Sequence, residues 1–244
     1  MKEGIIFGII QGLTEFLPIS SSGHLFILKK LFEIDINILP FVVYLHLATL
    51  LSLVVFFYKD IVHFIKNKKV MKQLLITTLV TFVCAALLMR LLERYFDFKF
   101  LIAIGFLTTS LFLFTTRKDG SKSLEDYSPK DSMYVGFMQA LAIIPGISRS
   151  GITITVLMRR GFKRKDCFVF SFLLAIPVII AATLLEGTKI IATGFTLSVL
   201  INSFLLAFFS GLIALKILKK YIDTNRLYLF SYYCIIIFLV VIFL

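Results

Sequence analysis

The chain has 244 residues, of which 59% are hydrophobic and only 16% are charged, against about 25% charged residues in an average soluble domain. This composition excludes a soluble globular fold, a disordered chain and a disulfide scaffold, and it predicts a polytopic membrane protein. The net charge of +12 predicts no nucleic-acid partner, because the Lys and Arg residues lie in short loops, where they set orientation and meet anionic lipid headgroups.

The first apolar segment, residues 4–28, is interrupted in its middle. A proline is followed there by three serines and a glycine, which argues against one straight helix. Each half is too short to cross a bilayer alone, so we predict a re-entrant helical hairpin whose irregular backbone is buried in protein or lines a polar cavity. Three uncharged runs long enough to cross a bilayer follow it, at 36–58, 73–89 and 100–116.

The second half of the chain repeats this order. Residues 132–158 are interrupted by a Pro-Gly pair and a Ser-Arg-Ser-Gly run, which predicts a second hairpin. Three more uncharged runs follow, at 167–185, 190–215 and 227–244. A shift of 128 residues therefore relates the two halves. It superposes Gly8 on Gly136, Gln11 on Gln139, Leu13 on Leu141, and Ser20, Ser22 and Gly23 on Ser148, Ser150 and Gly151.

Together these elements predict an all-α polytopic membrane protein with six transmembrane helices plus two re-entrant helical hairpins. Three crossings separate the hairpins, and because three is an odd number, the hairpins enter from opposite faces. The arrangement is therefore an inverted-topology repeat. We expect a single membrane domain, 1–244, whose repeats, about 1–116 and 132–244, are joined by a cytoplasmic loop at 117–131.

The distribution of Lys and Arg orients this topology. Four loops that alternate with the crossings hold 18 of the 26 basic residues, which predicts that these loops are cytoplasmic and that both chain termini lie outside. The first hairpin then enters from the outer face and the second from the cytoplasmic face, so their polar loops should meet near the middle of the bilayer. The four loops are 59–72, 117–131, 159–166 and 216–226.

The first hairpin carries the residue types of a catalytic or anion-binding site. Gln11 and Glu15 are four residues apart and share a helical face, and a carboxylate in hydrocarbon needs a partner. The serines at 20–22 precede a glycine, a pattern typical either of a helix cap or of a nest of donors for an anion. His24 is either a satisfied core histidine or, together with Glu15 and the serines, an acid or base.

Arg149 is the feature of the second hairpin that most needs an explanation. It is the one basic residue inside a predicted membrane segment, where an arginine costs roughly 2.5–3.5 kcal/mol on insertion scales. Either Glu15 offsets that cost as an ion-pair partner, or a phosphate ligand does, since a guanidinium fork suits phosphate oxygens. Ser148, Ser150 and Thr153 add hydroxyls, and the two half-helix N-termini add positive dipole ends. This set of groups suits phosphoryl transfer or anion passage.

Two motifs carry a family resemblance. The runs QGLTEFLPISSSGHL and PGISRSGITI resemble the signature segments of the undecaprenyl-diphosphate phosphatases, also called the bacitracin resistance family, and 46–61 and 170–182 resemble its flanking helices. The resemblance covers nearly the whole chain. Gln11 stands where other members have a glutamate, which leaves a single carboxylate in this hairpin. The resemblance implies functional roles for Gln11, Glu15, Ser20, Ser21, His24, Ser148, Arg149 and Thr153.

The implied activity is hydrolysis of undecaprenyl diphosphate to undecaprenyl phosphate and inorganic phosphate, which recycles the lipid carrier of cell-wall synthesis and confers bacitracin resistance. In this interpretation Arg149 holds the diphosphate, Ser21 is the preferred nucleophile and His24 relays protons. Glu15 orients His24, acts as base or holds a divalent cation. The resemblance implies help from Mg²⁺ or Ca²⁺, whereas the sequence has no dedicated metal cage, and no organic cofactor is expected. The substrate-binding residues would be Gln11, Ser20, Ser22, Ser148, Ser150 and Thr153.

The expected location is the bacterial cytoplasmic membrane, with the active site open to the outer face. The expected partners are the polyprenyl diphosphate substrate and membrane lipids, and a homodimer is left open. Two alternatives remain at this point. Inverted repeats with broken helices are also the plan of a transporter or lipid flippase, and a scaffold could use Glu15 and Arg149 as a structural ion pair. Phosphate release by the purified protein separates the enzyme from the transporter.

Overall fold

Helices make up almost all of the described chain. The computed structural model describes residues 2–34, 38–95, 98–116, 119–186 and 195–244. Within these ranges there is no β-strand, and a single bridge joins Lys122 to Phe162. The helices are α1 (Lys2–Phe16), α2 (Ser21–Leu31), α3 (Leu39–Phe56), α4 (Tyr58–Lys66), α5 (Lys68–Tyr95), α6 (Phe98–Leu113), α7 (Pro129–Ala140), α8 (Arg149–Arg159), α9 (Arg164–Glu186), α10 (Leu197–Asp223) and α11 (Leu229–Phe243), with 3₁₀ turns at Leu124–Asp126 and Leu141–Ile143.

Four helices are long and apolar enough to cross a membrane. They are α3, α9, α10 and the part of α5 from Lys68 to Leu92. Helices α6 and α11 are also apolar but have 16 and 15 residues, fewer than the roughly 17 that a crossing usually needs. The prediction of an all-helical, multi-pass membrane protein is therefore confirmed, and four of the six predicted spans have full length.

Some helix boundaries differ from the predicted ones near the predicted membrane surface. The predicted loop 59–72 is mostly helical, because α4 covers its first part and α5 its last. In α4, apolar residues recur at helical spacing beside lysines, a pattern typical of a helix that lies in the membrane interface. Helix α10 runs well past the predicted end at residue 215, because long lysine side chains can reach the headgroups from a helix end. The starts of the predicted runs 36–58 and 190–215, and of loop 117–131, lie outside the described residues.

Both interrupted segments fold as two helices joined by a break, as predicted. In the first, the Ser20 hydroxyl accepts the backbone N–H of Gly23 at 3.4 Å and caps α2. In the second, the Ser148 hydroxyl accepts the backbone N–H of Gly151 at 3.1 Å and caps α8. The 128-residue shift relates these two caps, so the repeated sequence produces the same local structure twice.

Each hairpin packs against the long helix of the other half. Helix α1 lies along α10, and α7 lies along α5. Helix α3 contacts α9, and α6 contacts α11. Because the 128-residue shift carries α1 onto α7 and α5 onto α10, these contacts form matched sets. The breaks of both hairpins are thereby brought to the interior of one helical bundle.

Glycines set the distance between the paired helices. A Cβ atom added at Gly8 of α1 would collide with the backbone carbonyl oxygen of Ser203 in α10. A Cβ atom at Gly136 of α7 would lie 2.7 Å from the backbone carbonyl oxygen of Thr77 in α5. Small residues of this kind let helix backbones approach closely in a membrane, where packing rather than the hydrophobic effect holds helices together.

We predict that Gly8→Ala lowers the free energy of unfolding by about 1–3 kcal/mol, because the added methyl group overpacks a backbone contact that cannot move alone. The measurement is the thermal unfolding midpoint of the detergent-purified variant. Gly4→Ala is the matched control on the same helix, because the close contact of its new methyl group is with the end of the Val199 side chain, which can rotate, and not with backbone. Equal midpoints for wild type and Gly8→Ala would contradict the prediction.

Candidate active site

The carboxylate of Glu15 is the centre of a polar cluster between the two hairpins. Its Oε2 accepts hydrogen bonds from Gln11 Nε2 at 3.1 Å and from the Ser21 hydroxyl at 2.7 Å. Its Oε1 accepts a hydrogen bond from Arg149 Nη2 at 2.8 Å. The Glu15 side chain is only 7% exposed. Four of the predicted site residues, from both halves of the chain, therefore meet at one point.

The two helix breaks explain why these residues meet. Ser21 is the first residue of α2, and Arg149 is the first residue of α8. These positions correspond under the 128-residue shift, so both side chains leave the chain directly after a capping serine. The N-terminal ends of two helices thus converge on Glu15, with their free N–H groups and positive dipole ends near the same place.

The backbone of the first break is unusual. Ser20 has a φ angle of +67°, in the left-handed region that residues other than glycine rarely adopt. Such conformations cost free energy and cluster at functional sites. Here the conformation turns the chain sharply before α2, so that Ser21 can reach back to the Glu15 carboxylate six residues earlier in the chain.

The remaining predicted hydroxyls mainly order the two breaks. Ser22 lies 3.3 Å from Ser20, and Ser150 lies 3.2 Å from Ser148, hydroxyl oxygen to hydroxyl oxygen. The Thr153 hydroxyl donates to a backbone carbonyl of α8 and contacts the Ser171 hydroxyl of α9. These described contacts hold the capping serines and α8 in place, and their predicted roles in substrate binding stay predictions.

His24 lies apart from the carboxylate. Its Nδ1 is 2.7 Å from the backbone carbonyl oxygen of Ser20, and its Nε2 is 2.7 Å from the hydroxyl of Tyr233 in α11. Because a carbonyl oxygen can only accept, Nδ1 carries the proton and Nε2 accepts from Tyr233. Both nitrogens of a neutral ring are thereby satisfied. A role for His24 as proton relay stays a prediction, and it requires the ring to leave these partners.

His46 is the site residue that the sequence did not reveal. It lies on α3, with its Nε2 3.3 Å from Glu15 Oε2 and its Nδ1 2.8 Å from the backbone carbonyl oxygen of Val42. The sequence placed it only in a flanking helix. One signal was available, because ionisable residues inside membrane spans are rare and usually functional, and the chain has only three histidines.

The donors around Glu15 do not fit a divalent cation. Both of its oxygens face N–H or O–H donors, one of which belongs to the basic side chain of Arg149, and the His46 ring lies beside Oε2. Within the part of the chain that the structure describes, no group of three or more His, Cys, Asp or Glu residues could hold a metal. Help from Mg²⁺ or Ca²⁺ therefore stays a prediction of the resemblance, without a site on Glu15.

The cluster can bind an anion and activate a hydroxyl. Arg149 uses Nη2 for Glu15, whereas its buried Nη1 has no hydrogen-bond partner among the described residues. A buried unpaired donor costs free energy, so its presence at a candidate site indicates a ligand oxygen. Beside it, the Ser21 hydroxyl donates to a carboxylate, which is the geometry of a nucleophile and its base.

Comparison with known proteins identifies close relatives along almost the whole chain. Residues 4–240 match the family Bacitracin resistance protein BacA. The Undecaprenyl-diphosphatase of Thermosipho africanus (strain TCF52B) is 41% identical over 248 residues, covering 98% of this chain and 98% of the relative. The Undecaprenyl-diphosphatase of Thermosipho melanesiensis is 42% identical, covering 96% and 95%. The Undecaprenyl-diphosphatase 4 of Bacillus cereus (strain ZK / E33L) is 37% identical, covering 95% and 92%.

We predict that Glu15→Gln lowers the free energy of unfolding by about 3–5 kcal/mol, because it leaves the buried guanidinium of Arg149 without its anion. The control is Asp119→Asn, the same change in a pair with Arg164 where the acid is 53% exposed and the effect should stay below about 1 kcal/mol. Thermal unfolding in detergent measures both. Equal midpoints for the two variants would mean that the Glu15–Arg149 pair does not stabilise the fold.

Proposed function

Because this chain belongs to the bacitracin resistance protein BacA family, we infer that it is an undecaprenyl-diphosphatase. It is a membrane hydrolase that converts undecaprenyl diphosphate into undecaprenyl phosphate and inorganic phosphate. This reaction recycles the lipid carrier of cell-wall synthesis, and the name of the family implies bacitracin resistance. The observation that carries this inference within the structure is the cluster of Ser21, Glu15 and Arg149 in the interior of an apolar helical bundle.

The chemistry of the substrate requires a polar site at membrane depth. At about 0.8 kcal/mol for each buried CH₂ group, a long polyprenyl chain does not leave the bilayer, so the enzyme must bring polar groups to the lipid. An apolar cavity of 330 Å³ lies beside the first helix break, where Leu13, Leu17 and Ile19 form part of its wall. This cavity supports lateral entry of the lipid, with its first prenyl units against apolar side chains.

The proposed reaction begins with attack by Ser21. Its hydroxyl oxygen forms a bond to the terminal phosphorus, while the bond from that phosphorus to the bridging oxygen breaks and undecaprenyl phosphate leaves with the electron pair. Glu15, which already accepts the hydrogen bond of Ser21 at 2.7 Å, takes the hydroxyl proton. Water then hydrolyses the phosphoserine and releases inorganic phosphate. Arg149 Nη1 and the converging helix N-termini stabilise the charge on the phosphoryl group.

The function is tested by phosphate release from undecaprenyl diphosphate with detergent-purified protein, with and without EDTA. We predict that Arg149→Lys lowers the rate about a hundredfold or more, because an ammonium group keeps the charge but loses the planar fork. Arg149→Ala should abolish turnover while the protein still inserts into the membrane. Near-full activity of Arg149→Lys would contradict a role of the guanidinium fork, in which Nη2 holds Glu15 and Nη1 is left for the phosphate.

A transporter or lipid flippase is the second candidate, and the broken helices that meet inside the bundle favour it. The same arginine and serines could bind an anion in transit. The phosphate-release assay separates the two functions, because a transporter binds the lipid without hydrolysing it. Release of phosphate by wild type and its loss in Arg149→Lys would together remove the transporter as the primary function.

For the topology, we propose one membrane domain with six spans and two re-entrant hairpins, in inverted repeats of about 1–116 and 132–244. The matched packing of α1 on α10 and of α7 on α5 supports this proposal, as do the two related serine caps. The basic loops support the orientation in the bacterial cytoplasmic membrane, with the first hairpin and the active site open to the outer face. A homodimer remains a proposal without a described interface.

Labelling of single cysteines tests this orientation. In a chain whose three native cysteines are replaced by alanine, we predict that Asp97→Cys reacts with an impermeant thiol reagent on intact cells, whereas Lys163→Cys reacts only after the cells are permeabilised. The reason is the excess of Lys and Arg in the loop at 159–166. The opposite pattern would reverse the orientation, and labelling of both on intact cells would contradict the number of spans.

A further inference from the structure

The two ring nitrogens of His46 both face hydrogen-bond acceptors. Nδ1 lies 2.8 Å from the backbone carbonyl oxygen of Val42, and Nε2 lies 3.3 Å from Glu15 Oε2. A neutral imidazole carries one N–H and can satisfy only one of these acceptors. A neutral histidine beside a carboxylate therefore leaves one acceptor without a proton, and the pair can take up one proton, either on the ring or on Glu15.

The contacts of His24 lead to the opposite conclusion. Its neighbours are a carbonyl oxygen, which accepts, and the Tyr233 hydroxyl, which can donate, so a neutral ring satisfies both. His24 has no described contact with the carboxylate. Of the two histidines in the bundle interior, His46 is therefore the one placed to exchange a proton with Glu15.

The charged groups around His46 belong to the same site. The Glu15 carboxylate faces the His46 ring from α1, and the Arg149 guanidinium of α8 interacts with that ring electrostatically. Helices α9 and α10 also pack on α3, α9 through the aromatic ring of Phe168 and α10 through the backbone carbonyl group of Phe208. Helix α4 carries Lys59, Asp60, His63 and Lys66 but begins about three helical turns beyond His46. On α3 itself, the Tyr44 hydroxyl donates a hydrogen bond to the backbone carbonyl oxygen of Leu200 in α10.

We propose that His46 is a positioning residue that works through Glu15 and takes up the proton of Ser21. This role rests on the hydrolysis proposed above. Before attack, the lone pair of His46 Nε2 faces an oxygen of the Glu15 carboxylate. A proton between the two atoms would remove the repulsion of their lone pairs. As the bond from Ser21 to phosphorus forms and the bridging bond breaks, the hydroxyl proton passes to Glu15 Oε2 and on to His46 Nε2. The proton returns to Ser21 when the oxygen of a water molecule bonds to phosphorus and the bond from Ser21 to phosphorus breaks, and both protons of the water end on the departing inorganic phosphate.

The Ser21 hydroxyl, the Gln11 amide and the His46 ring all address the same oxygen of Glu15. Oε1 is left to Arg149. This division separates the oxygen that handles the proton from the oxygen that holds the guanidinium. Gln11, which stands where a second carboxylate is found in other members, also has a role in this arrangement. Its amide can donate a hydrogen bond to Glu15 Oε2 whether or not the pair of Glu15 and His46 holds the proton.

His46→Gln tests the proposal, because an amide can donate to Glu15 but cannot take up a proton. We expect kcat at neutral pH to fall about tenfold or more and KM to change less than about twofold. The acidic limb of the kcat/KM profile should move to lower pH by about one unit or more, because Glu15 alone replaces a pair that includes an imidazole. The control is His63→Gln on the exposed face of α4, which should keep the wild-type rate and profile.

Nitrogen NMR of the histidine rings gives a readout that does not depend on activity. The chain has three histidines, so the His46 signals are assigned as those that remain in both His24→Gln and His63→Gln. On lowering the pH, Nε2 of His46 should become protonated over the range in which wild-type kcat/KM falls, while His24 stays neutral. If His46→Gln does not fold, this titration of wild type still tests whether His46 takes up a proton over the pH range of the acidic limb.

An unchanged acidic limb in His46→Gln would overturn the proposal, and so would a loss of kcat with an unchanged profile, because a purely structural role predicts the latter. Protonation of His46 that is separated by more than about one pH unit from the acidic limb would also overturn it. Failure of the hydrolysis proposal is distinguishable, because wild type itself would then release no phosphate while the nitrogen signals would still report the pair.

Discussion

The ion pair between Glu15 and Arg149 is the interaction on which the rest of this structure depends. Each residue would be expensive alone in an apolar bundle, and each comes from a different half of the chain. The pair can form only if both hairpins break at the right depth and if their second helices begin at the same point. The proline, the serine caps and the left-handed turn at Ser20 supply those conditions.

The scaffold is repeated, whereas the chemistry is not. Under the 128-residue shift, Ser21 corresponds to Arg149, Glu15 to Ile143 and His24 to Ile152. The first hairpin therefore supplies the carboxylate and the hydroxyl, and the second supplies the guanidinium. Duplication provides two equivalent helix ends, and divergence of single positions turns them into an acidic and a basic side of one site.

The parts of the site that could be predicted are those that the local sequence determines. The helix breaks follow from proline and clustered serines, the shared face of Gln11 and Glu15 follows from their spacing, and Arg149 stands out as a charge in an apolar run. The contact of His46 with Glu15 could not be predicted, because it depends on how α3 packs against α1. The orientation of the His24 ring could not be predicted either, because its hydrogen-bond partner Tyr233 lies 209 residues away in the chain. The charged residues of 59–72 predict a loop, whereas the apolar residues in its first part recur at helical spacing and form α4.

The exchange of partners between the halves has a consequence for biosynthesis. Helix α1 emerges first from the ribosome, but the helix it lies along, α10, is among the last to be made. At about 5–20 residues per second, the glycine face of α1 waits on the order of 10–40 seconds for its partner. During that interval the growing chain holds a polar, half-length hairpin without its final neighbours. Insertion machinery or lipid must shield it until the last helices arrive, and the Glu15 carboxylate meets Arg149 only after most of the protein has been synthesised.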